Sequence, residues 1–324
     1  MDQAQELASR HWGLISVAHE LPSSIDQNFR LDTAGGSFVL KISNSTELPE
    51  YLAAQIRALE HLARTPGAVL RVPEVVHCSD GRSVVQAEEH PVWLVTWVDG
   101  MPIARLAARP PELLRAVGRV LGELDRRLTG FDDPAVHREF RWDLMQAPAI
   151  LALTGNIEDS AGRDLVRRRL RRFETEVIPR LARLPFQVVH NDANDHNVLV
   201  CPAGGSRFQP CGLLDFGDMM WTPRVCEPAI AMAYAMLGPG APVESARAVL
   251  SGYQESLPLS AAEIEVLPDL IEARLCVSVT ISAYERMCDP NNAFVTVSEA
   301  PAWRILDWIA GDPGALRGRM TPEP

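Results

Sequence analysis

The chain has 324 residues, 47% of them hydrophobic, and a formal net charge of −11. That size allows one large domain or two lobes around a substantial core. The acidic balance argues against nucleic acid and anionic membranes as main partners, because both attract basic surfaces, and it is compatible with a cationic substrate. The longest apolar run, residues 229–237, is too short to span a bilayer.

The first hundred residues are predicted to form a small sheet with helices. A short helix is expected in residues 1–20, and residues 27–43 alternate apolar and polar positions, which is typical of an antiparallel hairpin. Apolar positions recur with helical spacing over residues 49–64. Two more strands are expected near residues 74–77 and 92–98.

The rest of the chain is mainly helical in pattern. Residues 103–183 show a helical pattern that is broken at Pro110-Pro111, Pro134 and Pro148, and residues 226–312 show helical periodicity as well. A strand–loop–strand segment over residues 186–216 lies between the two regions. The composition changes after Asp99-Gly100-Met101-Pro102, which places the lobe boundary near Gly100. Together these patterns predict an α+β fold with two lobes, a small antiparallel-sheet N-lobe of residues 1–100 and a large, mainly helical C-lobe of residues 101–324.

The cysteines indicate the redox environment. They show no CxxC pair and no tight metal-ligand spacing, and they are Cys78, Cys201, Cys211, Cys226, Cys276 and Cys288. Most lie in apolar sequence and are predicted to be reduced core residues. Since the first residues also lack the basic and then apolar pattern of a signal peptide, we expect a cytoplasmic location.

The most informative segment is residues 190–197, which read His-Asn-Asp-Ala-Asn-Asp-His-Asn, with Asp215-Phe216-Gly217 following 23 positions after Asp192. An acid, an amide five residues later and a second acid on the next strand form the catalytic set of protein-kinase-like phosphotransferases. Phosphoryl transfer needs a carboxylate to accept the substrate hydroxyl proton, and Asp192 fits that role. It also needs hard oxygen ligands to hold Mg²⁺ against nucleotide phosphates, and Asn197 and Asp215 fit that one.

These motifs resemble the aminoglycoside phosphotransferase / choline kinase family, and within it the hydroxylysine kinases and the kinase domains joined to bacterial aminotransferases. The resemblance spans residues about 24 to 303. Besides the two motifs above, it is carried by Asp26-Gln27-Asn28-Phe29, Phe38-Val39-Leu40-Lys41, Leu94-Val95-Thr96-Trp97-Val98-Asp99-Gly100 and Ser298-Glu299-Ala300-Pro301-Ala302-Trp303. It implies a protein-kinase-like two-lobed fold.

The histidines beside Asp192 are considered as zinc ligands, but the resemblance favours Mg²⁺. In kinase-like loops the histidine two positions before the aspartate supports the loop's geometry, which is the role expected for His190. His196 has only a loop context. The glycine common between histidine and aspartate in this family is Asn191 here, a mild change because asparagine tolerates left-handed backbone.

The N-lobe is expected to bind the nucleotide. Lys41 ends a strand and is predicted to grip the α- and β-phosphates. The helical pattern places Gln55 where the acid that pairs with this lysine is expected, and Glu50 and Glu60 are alternatives. The resemblance implies that small polar residues of one loop cover the nucleotide phosphates, and the alternative is that they form a simple polar turn. It also implies that the lobe connector binds the nucleotide base. These residues are Ser24, Asp26, Gln27 and Asn28 in the loop, and Thr96, Trp97 and Val98 in the connector.

The acceptor pocket is predicted from carboxylates and aromatic residues that suit an ammonium group, with an arginine that suits a carboxylate. The candidates are Asp218, Arg274, Tyr284, Glu299 and Trp303, and Glu227 is interpreted as structural.

The expected function is transfer of the γ-phosphate of ATP or GTP, with Mg²⁺, to a hydroxyl of a small amine or amino acid, hydroxylysine being the best single guess. The alternatives are an aminoglycoside O-phosphotransferase and a catalytically weak kinase-like module that binds nucleotide. The sequence does not predict the oligomeric state or the choice between ATP and GTP.

Overall fold

The computed structural model describes residues 1–23, 26–44, 48–65, 67, 70–290 and 297–320. Ser24, which is predicted to cover the phosphates, lies outside the described residues. No helix in the described ranges combines the length and the apolar character needed to cross a membrane.

The N-lobe is an antiparallel sheet with one helix on each side. Its elements are α1 (Asp2–Trp12), β1 (Val17–Leu21), β2 (Gln27–Thr33), β3 (Gly36–Ile42), α2 (Pro49–Arg64), β4 (Val75–Val76), β5 (Val84–Ala87) and β6 (His90–Thr96). The strand order is β1-β2-β3-β6-β4, and β5 also pairs with β6. One sheet face, with Leu31, Leu40 and Leu94, packs on Ala8 and Trp12 of α1.

Two of these strands were not predicted. The helix predicted over residues 1–20 ends at Gly13, whose φ of 66° lies in the left-handed region, and β1 follows. β1 lies at the edge of the sheet with only Ala18 buried, so it lacks the alternation that marks a strand in the sequence. β5 is a four-residue strand that pairs with β6, and its sequence pattern was also missed.

The C-lobe places most of its helices around α8, a 28-residue helix that is continuously buried from Val266 to Ala283. Its helices are α3 (Pro111–Leu128), α4 (Ser160–Arg172), α5 (Ile178–Leu181), α6 (Cys226–Leu237), α7 (Pro242–Ser256), α8 (Ala261–Cys288), α9 (Glu299–Gly311) and α10 (Pro313–Met320). A capping box of Ser260 and Glu263 begins α8. α3 and α7 approach so closely that a Cβ on Gly118 would meet the Val249 carbonyl oxygen at 1.9 Å.

The chain between α3 and α4 is not α-helical, which agrees with the breaks predicted at Pro134 and Pro148 but not with the helical pattern predicted between them. Residues 129–143 are largely irregular, with one short 3₁₀ turn at Pro134–Val136, and a 3₁₀-helix covers Leu144–Asn156. Pro148 lies inside this 3₁₀-helix and has no N–H to donate within it. Asp143 caps this 3₁₀-helix by accepting a hydrogen bond from the Met145 amide at 3.1 Å.

Five short strands carry the catalytic motifs. They are β7 (Met101–Pro102), β8 (Phe186–Val189), β9 (Val198–Pro202), β10 (Phe208–Leu213) and β11 (Met220–Pro223). β10, β9 and β7 form one antiparallel sheet, and β11 pairs with β8 in another. The segment is therefore a loop followed by a hairpin, because β9 lies between the two strands that were predicted.

The architecture confirms the predicted α+β fold with a small antiparallel sheet and a large helical part. The N-lobe sheet ends at Thr96 and the first strand of the C-lobe begins at Met101. The division into residues 1–100 and 101–324 stays a prediction.

The cysteines differ from the expectation at one place. Cys78, Cys226 and Cys276 are buried and free. Cys201 and Cys211 form a disulfide with a Cα–Cα distance of 5.8 Å. The two residues lie on the β9–β10 hairpin, where Gln209 is opposite Cys201 and Cys211 lies at the register shift between Pro210 and Gly212. The sequence spacing of ten gives no hint of that pairing.

Candidate active site

The catalytic loop runs from the end of β8 to the start of β9 and is held by His190. This side chain is fully buried, and its Nε2–H donates to the carbonyl of Leu214 at 2.9 Å. Its Nδ1 accepts the N–H of Asp192 at 3.2 Å. Burial lowers the pKa of His190 to about 4, so the ring is neutral. Both ring nitrogens are used inside the protein, which agrees with a supporting role.

The turn before the catalytic acid depends on Glu227. Asn191 has a φ of 66°, in the left-handed region, and its N–H donates to Glu227 Oε2 at 2.7 Å. Glu227 begins α6 and is fully buried, and burial raises its pKa from 4.5 to about 7. Glu227 thus anchors the loop to a core helix, as its structural interpretation predicts.

The carboxylate of Asp192 is fixed through both oxygens. Oδ2 accepts hydrogen bonds from the side-chain amides of Asn194 at 2.7 Å and Asn197 at 2.8 Å. Oδ1 accepts from Nη2 of Arg274 at 2.8 Å. Burial raises the pKa of Asp192 to about 6, although Arg274 acts in the opposite direction. A carboxylate offers about four lone-pair positions, so three are taken and one remains on Oδ1.

Asn197 and Asp215 are the residues predicted to bind Mg²⁺. The Nδ2 group of Asn197 is used on Asp192, and its Oδ1 accepts no hydrogen bond from the described residues. The backbone brings the two residues together, because the Leu214 N–H donates to the Asn197 carbonyl at 3.0 Å. Asp215 has a φ of 63° and an exposed side chain. The two residues therefore fit Mg²⁺, which takes one or two protein oxygens and leaves the rest to phosphates and water.

In the described ranges, no cluster of three or more His, Cys, Asp or Glu residues is arranged to hold a metal. A site of one amide and one carboxylate lies below that number, so the magnesium site stays a prediction.

The N-lobe presents Lys41 beside an aromatic ring. Lys41 lies opposite Trp93 in the sheet register, and its Nζ is 5.1 Å from the centre of that ring. No hydrogen bond joins Lys41 to the buried Gln55 within the described ranges. Glu60 faces His77 at 3.8 Å, so it occupies another side of α2. The role of Lys41 stays a prediction.

The other nucleotide candidates lie at the start of β2 and at the end of β6. Gln27 is exposed, Asn28 pairs with Lys41 across β2 and β3, and Asp26 accepts the N–H of Asn44 at 3.1 Å. In the connector, Val98 is buried. Thr96 accepts the Glu74 N–H through its hydroxyl at 2.9 Å, and the ring of Trp97 is covered by Arg30 at 4.4 Å. Their binding of nucleotide stays a prediction.

The acceptor candidates fall into two groups. Asp218 and Arg274 lie with the catalytic acid. Burial, together with the charges of Asp192 and Asp215, raises the pKa of the half-buried Asp218 to about 8. Arg274 is only 2% exposed and is paired with Asp192.

The other three candidates lie near the far end of α8. Tyr284 is ten residues beyond Arg274, about 15 Å along the helix. Glu299 is paired with Arg286, and Trp303 packs where Gly162 leaves room for its ring. All five roles stay predictions.

Sequence reasoning missed the residues that surround Arg274. The ring of Trp142 lies 4.6 Å from the guanidinium carbon, and that of Tyr234 lies 5.4 Å from it. It also missed Arg109, which is nearly buried and pairs with Asp195 of the catalytic loop at 2.8 Å. No local pattern marks these residues, since each is far from the catalytic loop in sequence.

Comparison with known proteins identifies the family of this chain. Residues 18–264 match the model of the phosphotransferase enzyme family (APH), and the chain belongs to that family. Hydroxylysine kinase of Mus musculus is 30% identical over 337 residues, which cover 95% of this chain and 88% of the relative. The predicted family and enzyme class, a kinase with a hydroxyl acceptor, are thereby confirmed.

Two solved structures show the same fold. One is the amicoumacin kinase hAmiN in complex with AMP-PNP and Ca²⁺, with a TM-score of 0.70, 14% identity and coverage of 95% of this chain and 93% of that chain. The other is a microcompartment-associated aminopropanol kinase, with a TM-score of 0.66, 18% identity and coverage of 99% of both chains. The predicted protein-kinase-like fold is confirmed.

Proposed function

We propose that this phosphotransferase transfers the γ-phosphate of ATP or GTP, in the presence of Mg²⁺, to the hydroxyl of a small amine or amino acid, with hydroxylysine as the first candidate. The observation that carries the proposal is the fixed carboxylate of Asp192 beside the backbone-linked pair of Asn197 and Asp215. The similarity to hydroxylysine kinase over nearly the whole chain supports the choice of acceptor.

The proposed chemistry follows from these positions. The acceptor hydroxyl donates its proton to Oδ1 of Asp192 while its oxygen bonds to the γ-phosphorus, and the bond to the nucleoside diphosphate breaks. Mg²⁺, when bound, neutralises the charge that develops on the phosphate oxygens. Asn197 and Asp215 hold it through side-chain oxygens, and Lys41 orients the phosphates from the N-lobe sheet.

The charge of the site supports a cationic acceptor. Burial and the charges of Asp192 and Asp215 raise the pKa of Asp218, and an ammonium group bound beside it favours loss of that proton and pairs with the carboxylate that forms. We assign Asp218 as the first contact of the acceptor's amine. We propose that Tyr284, Glu299 and Trp303 contact the distal part of a longer acceptor. Neither nucleic acid nor membrane is proposed as a partner, and a cytoplasmic location remains our proposal.

Steady-state kinetics with hydroxylysine, ethanolamine, choline, homoserine and kanamycin, each with ATP and with GTP, test the proposal. We expect the highest kcat/KM with hydroxylysine. A hundredfold preference for kanamycin, about 2.7 kcal/mol in transition-state binding, would replace the acceptor by an aminoglycoside and leave the kinase assignment intact. Transfer to water alone, with every acceptor and both nucleotides, would contradict the proposed function.

A further inference from the structure

We propose that Arg274 is a positioning residue for the catalytic carboxylate, holding Asp192 Oδ1 in the direction from which the acceptor hydroxyl approaches. The proposal rests on the proposed kinase function and deepens it. It also gives Arg274 a different task from the one expected from the sequence, which was to bind a carboxylate of the substrate.

The contacts of Arg274 point inward. It is 2% exposed, and its Nη2 donates to Asp192 Oδ1 at 2.8 Å and to the Tyr234 hydroxyl at 3.3 Å. Its Nη1 donates to the Trp142 carbonyl at 3.5 Å. A guanidinium that is enclosed in this way keeps one orientation, which a free surface arginine does not.

Three separate elements build the enclosure. Arg274 comes from α8, Tyr234 from α6, and Trp142 from the segment before the 3₁₀-helix. The two aromatic rings lie against the guanidinium at 4.6 and 5.4 Å, where a cation is attracted to the face of a ring. Burying an arginine is costly unless it is paired, and Asp192 is the partner that compensates.

The pairing has a direct consequence for catalysis. The amides of Asn194 and Asn197 fix Oδ2 but leave the carboxylate free to pivot about that oxygen. The bond from Arg274 fixes the other oxygen, which is the one with a free lone pair. A displacement of that oxygen lengthens the hydrogen bond to the acceptor hydroxyl, and small errors of position at a catalytic base lower the rate strongly.

The test is a double-mutant cycle on kcat with Arg274→Gln, Asp192→Asn and the double variant. We expect Arg274→Gln to lower kcat by about tenfold to a hundredfold, and the double variant to be no slower than Asp192→Asn, because residues that act as a unit are not additive. Arg274→Lys, which keeps a donor, is expected to recover part of the loss. Tyr234→Phe is the milder variant should the glutamine protein not fold, with an expected loss of a few-fold.

Two acceptors separate positioning from substrate binding. Hydroxylysine carries a carboxylate and ethanolamine does not. A positioning residue lowers kcat for both by the same factor and leaves both KM values near those of the wild type. If Arg274 instead bound the substrate carboxylate, Arg274→Gln would impair only the reaction with hydroxylysine and would raise the KM for hydroxylysine. Its effect would also add to that of Asp192→Asn. This outcome would overturn the proposal.

The control is Arg169→Gln, which removes an ion pair of 2.9 Å with Glu272, two residues before Arg274 on the same helix. This variant is expected to lower the stability and leave kcat unchanged. It therefore distinguishes a general loss of stability at α8 from a displacement of Asp192. Release of phosphate from ATP without any acceptor is measured on all the variants. Should the wild type phosphorylate none of the acceptors, the proposed function fails, and the same cycle on this hydrolysis decides the role of Arg274.

Discussion

The buried carboxyl group of Glu227 leads to a prediction about pH and stability. Glu227 anchors the turn at Asn191, yet its Oε1 is buried without a hydrogen-bond partner among the described residues. An ionised carboxylate in that setting is costly, so the folded protein keeps the group protonated to a pH at which the unfolded chain has lost the proton. Glu227→Gln retains the shape and removes the titration.

The size of the expected change in stability follows from the pKa of Glu227. Burial raises it from the ordinary 4.5 to about 7. That interval corresponds to about 3 kcal/mol, because one pKa unit is about 1.36 kcal/mol. The folded state binds more protons than the unfolded state in this window. The free energy of unfolding therefore decreases as the pH rises from 4.5 to 7.

Denaturant unfolding at several pH values measures the difference between Glu227→Gln and the wild type. We expect the two proteins to have similar free energies of unfolding in acid. Above neutrality, the variant is expected to be more stable than the wild type by up to about 3 kcal/mol. If the free energy of unfolding changed with pH in the same way for the variant and the wild type from about pH 5 to about pH 8, Glu227 would be ionised in the folded state. The reasoning would then be wrong.

Glu263→Gln is a matched control, because the pKa shift of Glu263 has the opposite sign. Glu263 is also fully buried, but Arg224 donates to it at 2.7 and 3.0 Å. Burial raises its pKa, yet the hydrogen bonds from Arg224 and Ser260 outweigh that and lower it. This variant is expected to be less stable than the wild type at neutral pH. The difference should shrink as the pH falls below the ordinary value of 4.5.

The remaining predictions concern the active site. Asp192→Asn is expected to fold and to lose about 10² to 10⁴ in kcat, the usual contribution of a general base; near wild-type turnover in a verified variant would end the assignment. Asp215→Ala should abolish the dependence of nucleotide affinity on Mg²⁺, and an unchanged magnesium titration would mean that another residue binds the metal. Lys41→Met should raise the KM for ATP and spare that for the acceptor, so equal KM values for ATP in variant and wild type would remove Lys41 from the nucleotide site.

The catalytic loop could be predicted because its chemistry is local in sequence. Asp192 and Asn197 belong to one loop, and Asp215 follows a strand that pairs with the loop's end. The contact between Arg274 and Asp192 joins residues 82 positions apart, and no periodicity reports such a distance. The Cys201–Cys211 bond was missed for a related reason, since Cys211 lies at an irregularity of the hairpin register that the sequence does not mark. β1 escaped prediction because an edge strand buries too little to leave a pattern.

The hydrogen bonds on Asp192 also bear on regiochemistry. With Oδ2 saturated by two amides and Oδ1 half occupied by Arg274, only one direction of approach remains open to a hydroxyl. An acceptor with several hydroxyl groups is therefore discriminated by the angle at which each one reaches that lone pair, as well as by how tightly the molecule binds. A poor acceptor would react slowly but still yield a single phosphorylated isomer, because a misdirected hydroxyl finds no base to take its proton.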